Sequence, residues 1–381
     1  MKVRKKIGRE VLFLSTGEGN PRNGEGAFLR LKNGEILFVY TAYIGEDWND
    51  HCTAELYGCV SPDEGETWSN PHLILKKPAD SKNLMSVSLL RMQNGDIGLF
   101  YLKKMQYGAA VIDAYMLSRS SDEGKTWSEP VECLNDLDYY VVNNDRVVRL
   151  QNGSILIPVA QHSIRAPKNA GEQAVSQVCF LRSEDDGHSF RKTGRSVHSP
   201  FDSITVGLQE PGVYQFEDGR LWAWFRTNLG HQYESFSDDN GLTWSSPCPN
   251  LLFTSPCSPM QVRRIGKYTL AVYNPIPQSS GNPLPFGMDR TPLMLAVSDM
   301  DGKDFWHRGF DELYLLEDDP ENSYCYPAIT ETATGFLVAY YHSNGTQQFL
   351  NCTKIVKVTV KADNGIKYRC LRLEYMELKD E

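Results

Sequence analysis

The sequence predicts an all-β protein, a six-bladed β-propeller of four-stranded antiparallel blades that takes up residues 1–381 as one domain. Three observations carry the prediction. An octamer of Ser, any residue, Asp, any residue, Gly, any residue, Thr or Ser, then an aromatic begins at Ser61, Ser120, Ser183 and Ser237, about 60 residues apart, and a decayed copy at residues 298–305 has Met300 in place of the Asp. Between the octamers a tight turn joins two apolar strands, at Asn33-Gly34, Asn94-Gly95, Asn152-Gly153, Asp218-Gly219, Ile265-Gly266 and Thr334-Gly335. No stretch sustains helical periodicity.

Each octamer has the chemistry of a turn, because Asp bonds its own backbone, Gly supplies positive φ and a hydroxyl closes the loop. The boxes are read as structural, each holding an outer hairpin. The Asn-Gly and Asp-Gly turns mark an inner hairpin, so one inner and one outer hairpin make each sheet. Residues 355–375 read as one more hairpin around Asn364-Gly365, and the strand at Val11 to Leu14 is expected to share the last blade.

Hydrophobic residues make up 41 % of the chain and aromatics 11 %, enough for a sizeable core. The balance of 48 acidic against 39 basic residues, net −9, argues against nucleic acid or an anionic membrane as partner. Residues 1–6 are basic but no apolar run follows them, and no stretch reaches the length of a bilayer span. Nine scattered cysteines without metal-ligand spacing fit a reduced, cytoplasmic protein with no metal and no cofactor.

The hairpin glycines serve as a ruler. Nine residues before each one lies the entrance of a blade's first strand, at Glu25, Ser86, Asn144, Glu210, Cys257 and Tyr326, and such positions face a common axis. Five of the six are polar or phenolic, and Arg22, Asn23, Asn83, Asn143, Asp145, Arg146 and Gln209 stand beside them. Convergent polar groups in a concave mouth are the default binding site, for a small-molecule or oligosaccharide substrate. Asn83 and Ser86 are candidates for sugar hydroxyls, Asn144 for a substrate contact, Asp145 and Arg146 for an ion pair at a strand entrance, and His51 for a partner of its neighbour Asp50. A wet channel lined by solvated side chains is the competing structural reading.

These residues resemble the sialidase superfamily, six-bladed propellers with repeated Asp boxes, and the resemblance covers essentially the whole chain. It implies a retaining glycoside hydrolase in which Tyr326 is the nucleophile, Glu210 the base that takes its proton, and Asp50 the acid/base. A phenol has a pKa near 10, so it needs such a neighbour before it can attack. Arg226 and Arg290 resemble two of three arginines that clamp a sugar carboxylate, and guanidinium groups suit that task because they bind bidentately. The third clamp is replaced: Glu25 stands at or next to its position, Arg22 lies a few residues early, and Arg146 is a candidate substitute. Glu25 near a bound carboxylate would repel it by about 4 kcal/mol at 4 Å and ε near 20. The expected substrate is therefore an acidic or modified sugar, with a non-catalytic carbohydrate-binding propeller and a polysaccharide lyase as the other readings.

Overall fold

Alternating apolar residues between the turns give 25 β-strands and no α-helix among the described residues. The computed structural model describes residues 6–134, 136–162, 175–200, 206–277, 290–298, 301–303, 305, 313–344 and 351–360. Four inner turns share one geometry: Leu31 N–H donates to Glu35 O and Gly34 N–H to Leu31 O, and the same pair of bonds recurs from Met92, Leu150 and Phe216. Their glycines hold φ between 87° and 92°, which is why the ruler residue is Gly. The other two turns are tighter, with Ile265 paired to Tyr268 and Thr332 to Gly335.

The boxes are also near copies. Ser61 Oγ accepts from Gly65 N at 2.8 Å, and Asp63 accepts from Thr67 N at 2.8 Å and from Thr67 Oγ1 at 2.6 Å. The same contacts recur from Ser120 and Asp122, Ser183 and Asp185, and Ser237 and Asp239, and Ser298 Oγ accepts from Gly302 N at 2.8 Å. The residue before each box glycine also clips one hairpin to its neighbour. Glu64 takes Arg30 and Ala333 N, Glu123 takes Arg91 and Lys32 N, and Asp186 takes Arg149 and Gln93 N.

The strands form antiparallel meanders. The first is β2 (Asn23–Arg30), β3 (Ile36–Tyr43), β4 (Ala54–Ser61) and β5 (His72–Leu75), and the second is β6 (Asn83–Arg91), β7 (Ile97–Tyr107), β8 (Ala110–Ser120) and β9 (Val131–Glu132). One residue pair, Ala54 with Asn83, joins them into an eight-stranded sheet. β10 (Tyr139–Val141) and β11 (Val148–Arg149) together edge β12 (Ile155–His162), followed by β13 (Gln177–Ser183) and β14 (Arg191–Val197). Then come β15 (Gln209–Gln215), β16 (Leu221–Arg226), β17 (His231–Ser237) and β18 (Cys248–Thr254), and after them β19 (Gln261–Ile265), β20 (Tyr268–Tyr273), β21 (Leu293–Ser298) and β22 (Tyr314–Glu317). The last sheet is β23 (Asn322–Thr332), β24 (Gly335–Asn344), β25 (Asn351–Thr359) and, outermost, β1 (Arg9–Leu14).

The N-terminal strand thus shares the last sheet, as its sequence suggested. Ile355, Val356 and Val358 lie in the third strand of that sheet, between β24 and β1. The Asn364-Gly365 turn lies outside the described residues.

The core sits between meanders. Leu37, Val39 and Leu56 pack on Leu84, Leu89 and Leu99, and equivalent clusters join each meander to the next. The last cluster packs Leu337, Ala339 and Ile355 against Phe38 and Tyr40 of the first meander. This is an all-β, propeller-like fold of antiparallel sheets whose strand entrances converge.

Candidate functional site

Four of the first strands carry a β-bulge at the ruler position. The register shifts between Gly24 and Ala27, Met85 and Ser88, Gln209 and Gly212, and Cys325 and Ala328. Inside each bulge one non-glycine residue is left-handed: Glu25 (φ 53), Ser86 (φ 60), Glu210 (φ 44) and Tyr326 (φ 56). Such residues cost on the order of 1–3 kcal/mol each and concentrate where a side chain must be re-aimed. The ruler is wrong in two sheets. In the third the left-handed residue is Asp145 (φ 58), one beyond Asn144, because that strand is broken between β10 and β11. In the fifth Cys257 lies in the loop before β19, which pairs with β20 without a register shift.

β23 and β15 bring Tyr326 and Glu210 together: the phenol donates to Glu210 Oε1 at 2.5 Å. Arg226, from the end of β16, places Nη1 2.8 Å from the same oxygen. Burial pushes Glu210 up, but Arg226 and the Tyr326 hydroxyl outweigh it and hold the carboxyl below its ordinary value. Burial, then the Glu210 charge, lifts the Tyr326 phenol well above 10. The phenol therefore stays protonated until its proton passes to Glu210.

Two thiols steady the arginines. Arg226 Nε donates to Cys257 Sγ at 3.1 Å, while Arg290 donates to Cys325 Sγ and to Cys257 O, both at 3.1 Å. Arg290 lies 5.8 Å from the centre of the Tyr326 ring. Cys257 and Cys325, which read as small buried residues in the sequence, thus help orient the Arg226 and Arg290 guanidinium groups.

Glu25 is not a bare anion, which corrects the expected repulsion. Arg22 Nη2 donates to Glu25 Oε1 at 2.6 Å, and the Ser86 hydroxyl donates to Oε2 at 2.5 Å. The remaining Arg22 nitrogens donate to Tyr341 Oη at 2.9 Å, Trp48 O at 3.1 Å and Asp50 Oδ1 at 2.6 Å. Burial pushes Glu25 up against the pull of Arg22 and Ser86. Asp50, whose side chain is 54 % exposed, is also pushed up by desolvation, but Arg22 and then Lys104 outweigh this and hold it at about 2. Tyr341 packs edge-on against Tyr326, ring centres 5.4 Å apart, and so links this cluster to the first.

Tyr341 is absent from the sequence reading, although a signal for it exists. It pairs with Cys325, the residue before the left-handed Tyr326, just as Arg226 pairs with Gln209 before Glu210.

Asp145 and Arg146 pair with other residues rather than with each other. Asp145 forms an ion pair with Arg263 and accepts from Gln261 Nε2 at 2.7 Å, and Arg146 donates to Gln261 Oε1 at 2.5 Å and Met260 O at 2.7 Å. Burial pulls Arg146 down to about 10. Asn144 donates to Gly26 O at 2.9 Å and so ties the third sheet to the first. His51 does not take Asp50 as a ring partner; its ring meets Tyr139 edge-on at 6.2 Å. The Tyr139 hydroxyl accepts from the buried Lys104 at 2.9 Å. Among the described residues no group of His, Cys, Asp and Glu could hold a metal ion.

The sequence matches the BNR repeat-like domain family over residues 53–339, while comparison with curated proteins gives no match. Among solved structures, a protein of unknown function from Dyadobacter fermentans is similar at TM-score 0.68 and 19 % identity, over 94 % of this chain and 98 % of that one. The leech intramolecular trans-sialidase complexed with 2,7-anhydro-Neu5Ac is similar at TM-score 0.64 and 14 % identity, over 91 % and 70 %. The intramolecular trans-sialidase of Ruminococcus gnavus, in complex with oseltamivir carboxylate, is similar at 0.65 and 14 %, over 92 % and 97 %. Identities this low speak for a shared fold alone. The family match covers most of the chain: the chain belongs to the BNR repeat-like domain family, and it shares its fold with the two trans-sialidases.

Proposed function

We propose that the protein is a six-bladed propeller that hydrolyses glycosides of an acidic sugar with retention of configuration. The observation that carries this reading is the 2.5 Å bond from Tyr326 to Glu210. In the first step the Tyr326 oxygen attacks the anomeric carbon, its proton passes to Glu210, and the glycosidic bond breaks as Asp50 protonates the leaving oxygen. In the second step Asp50 takes a proton from water, the water oxygen attacks the anomeric carbon, and the phenolate released recovers its proton from Glu210. Arg226 and Arg290 would hold the substrate's carboxylate, which planar guanidinium groups bind bidentately.

The six-blade count is supported by the inter-sheet clusters, which run from each meander to the next and from the last to the first.

Hydrolysis of a panel of aryl glycosides tests the reading. An acidic member is expected to be cleaved, and Tyr326→Phe is expected to abolish its turnover. Binding of sugars without turnover of any member would instead establish a carbohydrate-binding propeller.

A further inference from the structure

Arg22 is held from two sides that differ in permanence. On one side Glu25 is fixed: its side chain is 4 % exposed, its backbone is set by the β2 bulge, and Ser86 occupies its second oxygen. On the other side Asp50 stands on the loop after β3, with 54 % of its side chain exposed. A guanidinium has five N–H donors. In Arg22 one goes to Tyr341, two go from Nη1 to Trp48 O and Asp50, and one goes from Nη2 to Glu25. An incoming anion gains a bidentate grip on Arg22 only by displacing Asp50, the one exposed partner.

The acid proposed for catalysis is thus tied, in the free protein, to a cation that keeps it ionised. An acid so held cannot protonate a leaving group. A glycosidase for acidic sugars, the reading on which this inference rests, needs Asp50 to gain a proton once substrate is bound.

We propose that Arg22 is a substrate-operated switch on the acid: the sugar's carboxylate takes the guanidinium from Asp50, and Asp50, freed, takes up the proton it delivers to the leaving oxygen. The other charged and titratable groups facing Asp50 set how far this goes. Lys104 and His51 oppose protonation, while Glu25, Asp113, Tyr43 and Tyr139 favour it or are neutral. Desolvation of Asp50 favours the neutral acid and acts more strongly once a ligand covers it. A sugar without a carboxylate would leave Arg22 on Asp50 and the acid ionised, so the switch also selects substrate.

Calorimetric titration of the whole protein with 2,7-anhydro-Neu5Ac, in buffers of different ionisation enthalpy, counts the protons that accompany binding. At a pH of about 4.5 the expected result is net proton uptake on binding, because losing the Arg22 contact lets Asp50 rise from its depressed value. The uptake is expected to vanish in Asp50→Asn, a substitution at an exposed position that leaves binding measurable. Binding without proton uptake, or uptake unchanged in Asp50→Asn, would overturn the switch and leave the glycosidase reading standing. No binding to the unsubstituted protein would overturn the acidic-sugar reading and the switch with it.

Discussion

The Tyr326 phenol reaches Glu210 Oε1 at 2.5 Å across 116 residues of sequence, and Arg226 stands 2.8 Å from the same oxygen. The pair is a phenol and a carboxylate that share one proton, with a guanidinium setting which of them holds it. Removing the acceptor charge should therefore slow bond formation more than binding. Glu210→Gln is expected to lower kcat by about 100- to 10,000-fold with a much smaller change in KM, the range for loss of one general base. Steady-state kinetics on the same acidic aryl glycoside checks this, and an equal rise in KM would make Glu210 a binding group instead.

Gly24 is where the backbone of β2 lets the Tyr341 ring in. A Cβ there would lie 1.9 Å from that ring, closer than atoms can approach. Gly24→Ala is expected to push Tyr341 off Arg22 and Glu25 and to cut turnover by about 10-fold or more, since misplacing positioning groups by about 1 Å costs up to about 100-fold. A fold check by circular dichroism and a turnover assay on the same sample separate this from simple unfolding.

The boxes should affect stability and leave chemistry alone. Ser61 is fully buried and its hydroxyl accepts from Gly65 N. Ser61→Ala leaves that buried N–H without its acceptor, at a cost of about 1–3 kcal/mol. The midpoint of urea unfolding should fall accordingly while kcat per folded molecule stays unchanged; a change in kcat would assign the boxes a role in the site.

Asp113 gives the fold a pH dependence of known sign. Burial raises it to about 7, with Lys104 opposing. Between its ordinary pKa and that value the unfolded chain binds fewer protons than the folded one, so this residue's contribution to stability is present below about 4 and is lost as pH rises to about 7. Asp113→Asn should flatten that slope, measurable as urea midpoints at either end of the window. An unchanged slope would show that Asp113 does not titrate there.

Repetition made much of this legible from sequence. The Ser, Asp and Gly of each box fix a local turn whose bonds involve only neighbouring residues, so Ser61, Ser120, Ser183 and Ser237 announce the same structure wherever they stand. The ruler works for Glu25, Ser86, Glu210 and Tyr326 because turn and bulge are separated by a constant length of strand. It slips at Asn144, where the strand breaks, and at Cys257, where β19 starts later and carries no bulge.

What stayed hidden depends on partners far along the chain. Glu25 reads as an unpaired anion in sequence because nothing local says that Arg22 curls back to it, or that Tyr341, 316 residues away, completes the cluster. Arg146 likewise suggests a clamp until Gln261 and Met260 claim it from 115 and 114 residues away.

Catalysis as proposed requires that Tyr326 form a covalent bond to sugar. Incubation with a 2,3-difluoro sugar acid, whose fluorine at carbon 2 leaves readily while that at carbon 3 slows release, followed by peptide mass spectrometry, reads it directly. The predicted result is one sugar adduct per chain, on the peptide that contains Tyr326, absent in Tyr326→Phe and restored to free enzyme on standing. An adduct on another residue, or turnover that survives in Tyr326→Phe, would contradict it.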